Sequence, residues 1–430
     1  MLKISKYLGL ALLLTVIAAY GIDHLFLKDS CPDCHTDQTR ALPLFDGSQT
    51  DGLVRIKAAN GLVYRARIAG LGNKGDPIIL LHGFPETSAI WEPVLAYLAK
   101  VGHRVVAFDQ RGYSPDARPG SVASYTMDRL SEDITALADA VGFDTFHLAG
   151  HDWGGVVGWF AADRYPDRIA SWTAISMPHP KAYIQALGLG EDQLRRSAYI
   201  LFLKLPLVAD LVLGFNRAAY LRANRWNDAS PAQRKEYVRV FGEAGALAAA
   251  LKWYRAFGVL TAEGMGKVMQ PTLYIWGNRD ARVGRAGAEK TADFVEGPFR
   301  IVKLAAEHSL VADEPDAIAR EIASHIAKWK IAAPPVTAFD KALPEVAKKC
   351  VSAKPPCLRL EVAPGGNWIN IENRCKQRFK GAVRVSCGTW GDDAFMEYRF
   401  DLDSKGSMFH GTRGLVYGSC YYKQKVCLVE

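Results

Sequence analysis

Gly150-His151-Asp152-Trp153-Gly154-Gly155 sets a carboxylate at the centre of a glycine-rich turn. A short apolar run, Phe146-His147-Leu148-Ala149, precedes it, and a segment of helical periodicity follows. Glycines around a strand-to-helix turn allow a tight bend that projects its central side chain into a cleft. Serine often fills this nucleophile elbow; here the residue is Asp152. The start of the following helix favours its ionised form, and an ionised carboxylate attacks without a general base. A histidine in the same site is then free for another task, the activation of water.

Two later segments supply that histidine and its partner. Trp276-Gly277-Asn278-Arg279-Asp280 follows the apolar run Thr272–Ile275, and His308 follows Ile301-Val302-Lys303-Leu304. Read along the chain, Asp152, Asp280 and His308 form the order nucleophile, acid, histidine. Glu307, next to His308, is a second carboxylate within reach of that histidine. His82-Gly83-Phe84-Pro85 follows the run ending at Leu81. The backbone amides of Phe84 and Trp153 are candidate oxyanion-hole donors, and His82 and Pro85 are candidate substrate-binding residues. The expected chemistry needs no metal and no cofactor.

These residues must be held by a scaffold. Pro77–Leu81, His103–Phe108, Phe146–Ala149 and Thr272–Trp276 read as short buried strands, with helical periodicity over Leu130–Val141 and Gly155–Arg164. Strands alternating with helices predict an α/β class fold with a mainly parallel sheet covered on both faces. The core is predicted in two parts, residues 51–179 and 267–332. Between them, residues 180–266 read as nearly all helix and are predicted to form a helical lid. Its apolar character suits a small hydrophobic substrate.

The ends of the chain differ from this middle. With 430 residues, two or three domains are expected at about 150 residues each. Hydrophobic residues at 49% and charged residues at 23% exclude a largely disordered chain. The formal charge of +8 includes no dense basic block, so nucleic acid is not the expected partner. Lys3 and Lys6 precede the apolar run Tyr7–Ile22, so residues 1–29 read as a signal peptide or membrane anchor. Export to the periplasm or the outside, with membrane association through the N-terminus, is the expectation. Residues 30–50 are a linker holding Cys31-Pro32-Asp33-Cys34-His35, a match to the C-x-x-C-H haem-attachment pattern that also suits a local disulfide. No cysteine lies between Cys34 and Cys350. Residues 333–349 form a second linker, and residues 350–430 carry six cysteines among strand-like runs such as Leu358–Val362, Phe395–Leu402 and Leu415–Tyr422. A small all-β, disulfide-rich module of unknown partner is predicted there.

Taken together, His82–Pro85, Asp109-Gln110-Arg111-Gly112-Tyr113-Ser114, Gly150–Gly155, Trp276–Asp280 and His308 resemble the epoxide hydrolase branch of the α/β-hydrolase family. The resemblance covers about two-thirds of the chain. It implies a covalent ester on Asp152, hydrolysed by water that His308 activates. It also implies two lid tyrosines that grip the epoxide oxygen: Tyr254, within Leu251-Lys252-Trp253-Tyr254-Arg255, and Tyr199, within Tyr199-Ile200-Leu201-Phe202. The nearest alternative is a haloalkane dehalogenase, which shares the Asp nucleophile. Alternatives of another class are a non-catalytic envelope binding protein and a haem-tethered redox protein.

Overall fold

The computed structural model describes residues 38–331, apart from 227–228, 258–261 and 263, and beyond them the strand backbones within residues 358–429. The leader, the Cys31–His35 motif and the linker at 333–349 lie outside the described residues. The chain divides into two units, Met1–Ile331 and Ala332–Glu430.

The first unit is built on one eight-stranded sheet. Its strands are β1 (Gly52–Lys57), β2 (Val63–Ala69), β3 (Pro77–Leu81), β4 (Arg104–Phe108), β5 (Phe146–His151), β6 (Ile169–Ile175), β7 (Thr272–Gly277) and β8 (Phe299–Leu304). They lie in the order β1-β2-β4-β3-β5-β6-β7-β8. β2 runs antiparallel to β1 and β4, and every other neighbouring pair is parallel. The central strands β3, β5 and β7 are buried at every position, which explains their unbroken apolar runs: each faces helices on both sides.

Those helices carry the matching periodicity. In α1 (Glu92–Lys100), Val94, Leu95 and Leu98 are buried. In α2 (Met127–Ala140), Leu130, Ile134, Leu137 and Ala138 form one buried stripe. α3 (Trp153–Arg164) is buried over its first ten residues, because it crosses the centre of the sheet.

Between β6 and β7 every described element is helical: α4 (Pro180–Gly188), α5 (Glu191–Ser197), α6 (Tyr199–Lys204), α7 (Val208–Asn224), α8 (Pro231–Gly242) and α9 (Ala246–Ala256). Buried polar contacts tie this lid to the sheet. Glu236 of α8 receives Arg65 Nη2 at 2.8 Å, is paired with Arg67, and accepts the Thr87 hydroxyl at 2.7 Å. The indole of Trp226 donates to Pro85 O at 2.8 Å and that of Trp253 to Arg111 O at 2.7 Å. After β7 come α10 (Arg285–Lys290), then β8, α11 (Leu310–Asp313) and α12 (Pro315–Lys328), which closes the far face of the sheet through Ile318, Ile322 and Ile326.

In the second unit the described strands pair antiparallel throughout. Trp368–Asn373 pairs with Leu358–Val362 and with Ser407–Gly411. Phe379–Cys387 pairs with Phe395–Leu402, Cys420–Tyr421 and Cys427–Val429.

Candidate active site

Strand β5 ends at His151 and α3 begins at Trp153, so the whole turn is one residue, Asp152. Its backbone sits at φ 51°, a left-handed conformation that a residue other than glycine holds only under constraint from its surroundings. The constraint is contact. A Cβ on Gly154 would lie 2.3 Å from the carbonyl oxygen of Leu81, and a Cβ on Gly83 would lie 2.5 Å from the Cβ of Asp152. The two glycines let the elbow settle against the end of β3.

Two groups hold the carboxylate. The amide of Phe84 donates to Oδ1 at 2.9 Å, and His308 Nε2 lies 3.1 Å from Oδ2. On its other side, His308 Nδ1 lies 2.7 Å from Asp280 Oδ2, and Asp280 Oδ1 accepts the amides of Arg282 at 2.7 Å and Val283 at 3.0 Å. Asp152, Asp280 and His308 are thus one connected triad, 8%, 2% and 6% exposed. Burial pushes the Asp152 carboxyl up, but its hydrogen bond to His308, the charges of His308 and His151, and the Phe84 amide outweigh it, so the pKa lies well below the usual 3.8. Burial likewise pushes His308 down, yet the Asp280 and Asp152 carboxylates win, and its pKa is raised to about 9.

Opposite this triad stand the two lid tyrosines. Tyr199 opens α6 and Tyr254 lies on α9. Together with Asp152 and Arg282 they border two cavities, of about 600 Å³ and about 280 Å³. His308 borders the larger and Phe84 the smaller. Tyr254 is wedged edge-on against Trp153 at 4.9 Å and Phe84 at 5.4 Å between centroids, which fixes its ring. Burial raises both phenol pKa values, so both remain neutral hydrogen-bond donors at physiological pH.

The comparisons with known proteins agree with this geometry. A family model, that of the alpha/beta hydrolase fold, matches residues 76–315. Epoxide hydrolase 4 of Mus musculus is 33% identical over 277 residues, which span 62% of this chain and 76% of the relative. Epoxide hydrolase A of Mycobacterium tuberculosis is 30% identical over 310 residues, 63% of this chain and 94% of the relative. The chain belongs to the α/β-hydrolase family, in its epoxide hydrolase-like branch. A solved structure of epoxide hydrolase A from Mycobacterium thermoresistibile is 25% identical to this hydrolase. It superposes with a TM-score of 0.55, over 66% of this chain and 100% of the other.

Some residues of this α/β-hydrolase stand elsewhere than the sequence suggests. His82 and Pro85 do not border either cavity. The His82 ring is fully buried, with Nδ1 donating to Gly83 O at 2.9 Å and Nε2 accepting the Gln110 amide at 3.1 Å, so it braces the loop below the nucleophile. The carbonyl of Pro85 is taken by Trp226. Of the two expected amide donors only Phe84 reaches the carboxylate; Asp152 makes no capping bond to the first turn of α3, where the Trp153 amide lies. Glu307 is exposed, and the histidine's partner is Asp280.

The structure adds four residues to the site. The His308 carbonyl is held by His151 Nε2 at 2.9 Å and by the Ser176 hydroxyl at 2.6 Å. His151 is itself paired with Glu86 at 3.3 Å, and that carboxylate overcomes burial to raise its pKa. Arg282 lies with its guanidinium 4.3 Å from the centroid of the Tyr199 ring. His151 had a sequence signal, its place next to the nucleophile; Arg282, two residues beyond Asp280, reads only as part of a turn. Among the described residues, no group of three or more His, Cys, Asp or Glu is placed to hold a metal ion.

Proposed function

We propose that this chain hydrolyses epoxides to vicinal diols through a covalent ester on Asp152. The observation that carries the proposal is the set of groups bordering both cavities: an anionic carboxylate on the sheet side and two neutral phenols on the lid side, one of them faced by Arg282 from the loop after β7. Phenols suit a developing alkoxide: burial keeps both neutral, and each aims an O–H donor at the oxygen on which charge develops. Phe84, by contrast, offers no side-chain donor to a leaving halide.

The steps balance around His308. The amide of Phe84 holds Oδ1 of Asp152, and Oδ2, exchanging its contact with His308 for the substrate, attacks an epoxide carbon as the C–O bond breaks. Tyr199 and Tyr254 stabilise the departing oxygen and protonate it, and the cation of Arg282 beside Tyr199 favours the transient phenolate. The His308 proton restores the phenol. His308, now neutral and aligned by Asp280, takes a proton from water as that water attacks the ester carbonyl. The oxyanion forms at Oδ1, against the Phe84 amide, a donor worth roughly 3 kcal/mol in comparable sites. Collapse releases the diol and returns Asp152 and protonated His308.

Single-turnover hydrolysis in ¹⁸O-labelled water tests the route. The first diol formed carries unlabelled oxygen from Asp152; label in that first product means direct attack by water and ends the covalent reading.

For the ends of the chain, we propose export by the leader at 1–29 and a disulfide-stapled all-β module at 350–430. Support comes from the apolar run Tyr7–Ile22, the six cysteines, and a strand register that sets Cys387 directly opposite Cys420. Non-reducing peptide mapping and N-terminal sequencing of the expressed chain test both statements.

A further inference from the structure

Nine of the thirteen exposed large apolar side chains among the described residues fall within residues 189–220, so exposed apolar surface is concentrated on the lid. Its crest is the turn between α6 and α7. Leu201 and Leu207 are 71% and 72% exposed, and Leu205, Val208, Val212 and Phe215 are each 48–50% exposed. Val208, Val212 and Phe215 follow one another at i, i+4 and i+7, so they form one apolar face of α7 turned to the outside. Leu207 holds φ 66°, a conformation strained for leucine, at the most exposed point of the turn. Soluble surfaces seldom carry a contiguous apolar crest of this kind without a partner.

Shape and charge narrow the partner. The segments Asp192–Lys204 and Val208–Phe215 are together apolar enough for a membrane, but they turn by 96° at their break. No single helix among the described residues is long and apolar enough to cross one. An apolar bend of this form suits shallow insertion at an interface rather than a span. Residues 199–225 contain four cations, Lys204, Arg217, Arg222 and Arg225, and one carboxylate, Asp210, which Arg255 engages at 2.5 Å. A segment with this cationic excess beside an apolar crest complements anionic headgroups over acyl chains and opposes docking onto a second, equally cationic copy. The crest also adjoins the site: Leu201 and Lys204 border the larger cavity and Val212 borders the smaller.

We propose that the α6–α7 crest docks on an anionic lipid surface, so that apolar substrate enters the cavities from the lipid. The docking stands on the lid surface alone; only the substrate clause rests on the epoxide reading. The test is hydrogen–deuterium exchange of the full chain with phosphatidylcholine vesicles, with and without phosphatidylglycerol. Peptides covering residues 199–216 become protected severalfold with the anionic vesicles, whereas α12 is unchanged. The double variant Leu205→Ser/Leu207→Ser, with wild-type circular dichroism and melting temperature, loses that protection. Equal exchange with and without vesicles overturns the proposal, as does equal protection of wild type and variant. Protection of the crest without lipid also overturns it: if dependent on protein concentration it assigns the crest to a second copy, and if independent of concentration, to another segment of this chain. Protection by lipid in a protein that opens no epoxide leaves the docking in place and removes the chemistry.

Discussion

The Nε2 atom of His308 lies 3.1 Å from Oδ2 of Asp152, so the base and the nucleophile are an ion pair before any substrate arrives. With its pKa raised to about 9, the imidazole is protonated at neutral pH and is no base. Ester formation neutralises Asp152 and leaves Asp280 alone to hold that proton. The first half-reaction therefore arms the second. His308→Gln removes the base while Oδ2 stays free to attack. The expected result is a stable adduct on the Asp152 peptide, seen by intact mass, with turnover lowered by roughly a thousandfold. Wild-type turnover in this variant removes His308 from the mechanism.

The same ion pair sets a pH dependence of stability. His308 has a folded pKa above its ordinary 6.5, so its contribution is full below about 6.5 and fades as the pH rises through 9. Asp152 has a folded pKa below 3.8, so its contribution is full above that value and lost in stronger acid. The melting-temperature advantage of wild type over His308→Gln should be greatest between about pH 4 and 6.5 and vanish above pH 9. An advantage that grows with alkaline pH contradicts the assignment.

Ring opening should depend on the lid side of the cavity. Tyr254→Phe and Tyr199→Phe each remove one donor and are expected to slow ester formation by about tenfold to a hundredfold, and the double variant by more. Arg282→Met should slow the same step by about tenfold and leave ester hydrolysis unchanged. Stopped-flow fluorescence separates the steps, because Trp153 lies against Tyr254. An unchanged first phase in all these variants leaves the phenols without a role.

Gly83 is a position where one methyl group is decisive. A Cβ there would lie 2.6 Å from Asp152 Oδ1, inside contact distance. Gly83→Ala should cut the rate of ester formation by about a hundredfold through displaced geometry while the protein remains folded. Rate and thermal melt measured together check both halves of this statement.

Glu236 bridges the lid to Arg65 and Arg67 of β2 with its side chain only 17% exposed. Glu236→Ala takes one shared carboxylate from two buried arginines, which keep Asp109 and Glu92 as partners, and a loss of about 2 kcal/mol in urea unfolding is expected. A loss under 0.5 kcal/mol shows that the bridge is not what fastens the lid.

Much of this site was legible in the sequence because local rules determine it. Asp152 is marked by glycines that the elbow needs, and β3, β5 and β7 are marked by apolar runs that double-sided burial demands. Asp280 and His308 follow from their places after strands. The tyrosines needed the family resemblance, since nothing in the spacing of Tyr199 and Tyr254, on separate helices, brings them together. Arg282, Ser176 and Glu86 were not legible, because their roles arise from contacts between distant loops. His82 and Pro85 misled for the opposite reason: they follow a strand end where clefts form, but backbone partners consume their polar groups.

The two chambers that meet at Asp152 are unequal, about 600 Å³ against about 280 Å³. A molecule with one bulky and one slender substituent has a single comfortable way to lie across them. That orientation offers one face of the three-membered ring to the nucleophile, and the mirror-image molecule offers the other. Unequal volumes favour one handedness, and chiral chromatography of a partly consumed racemate should find one enantiomer left behind.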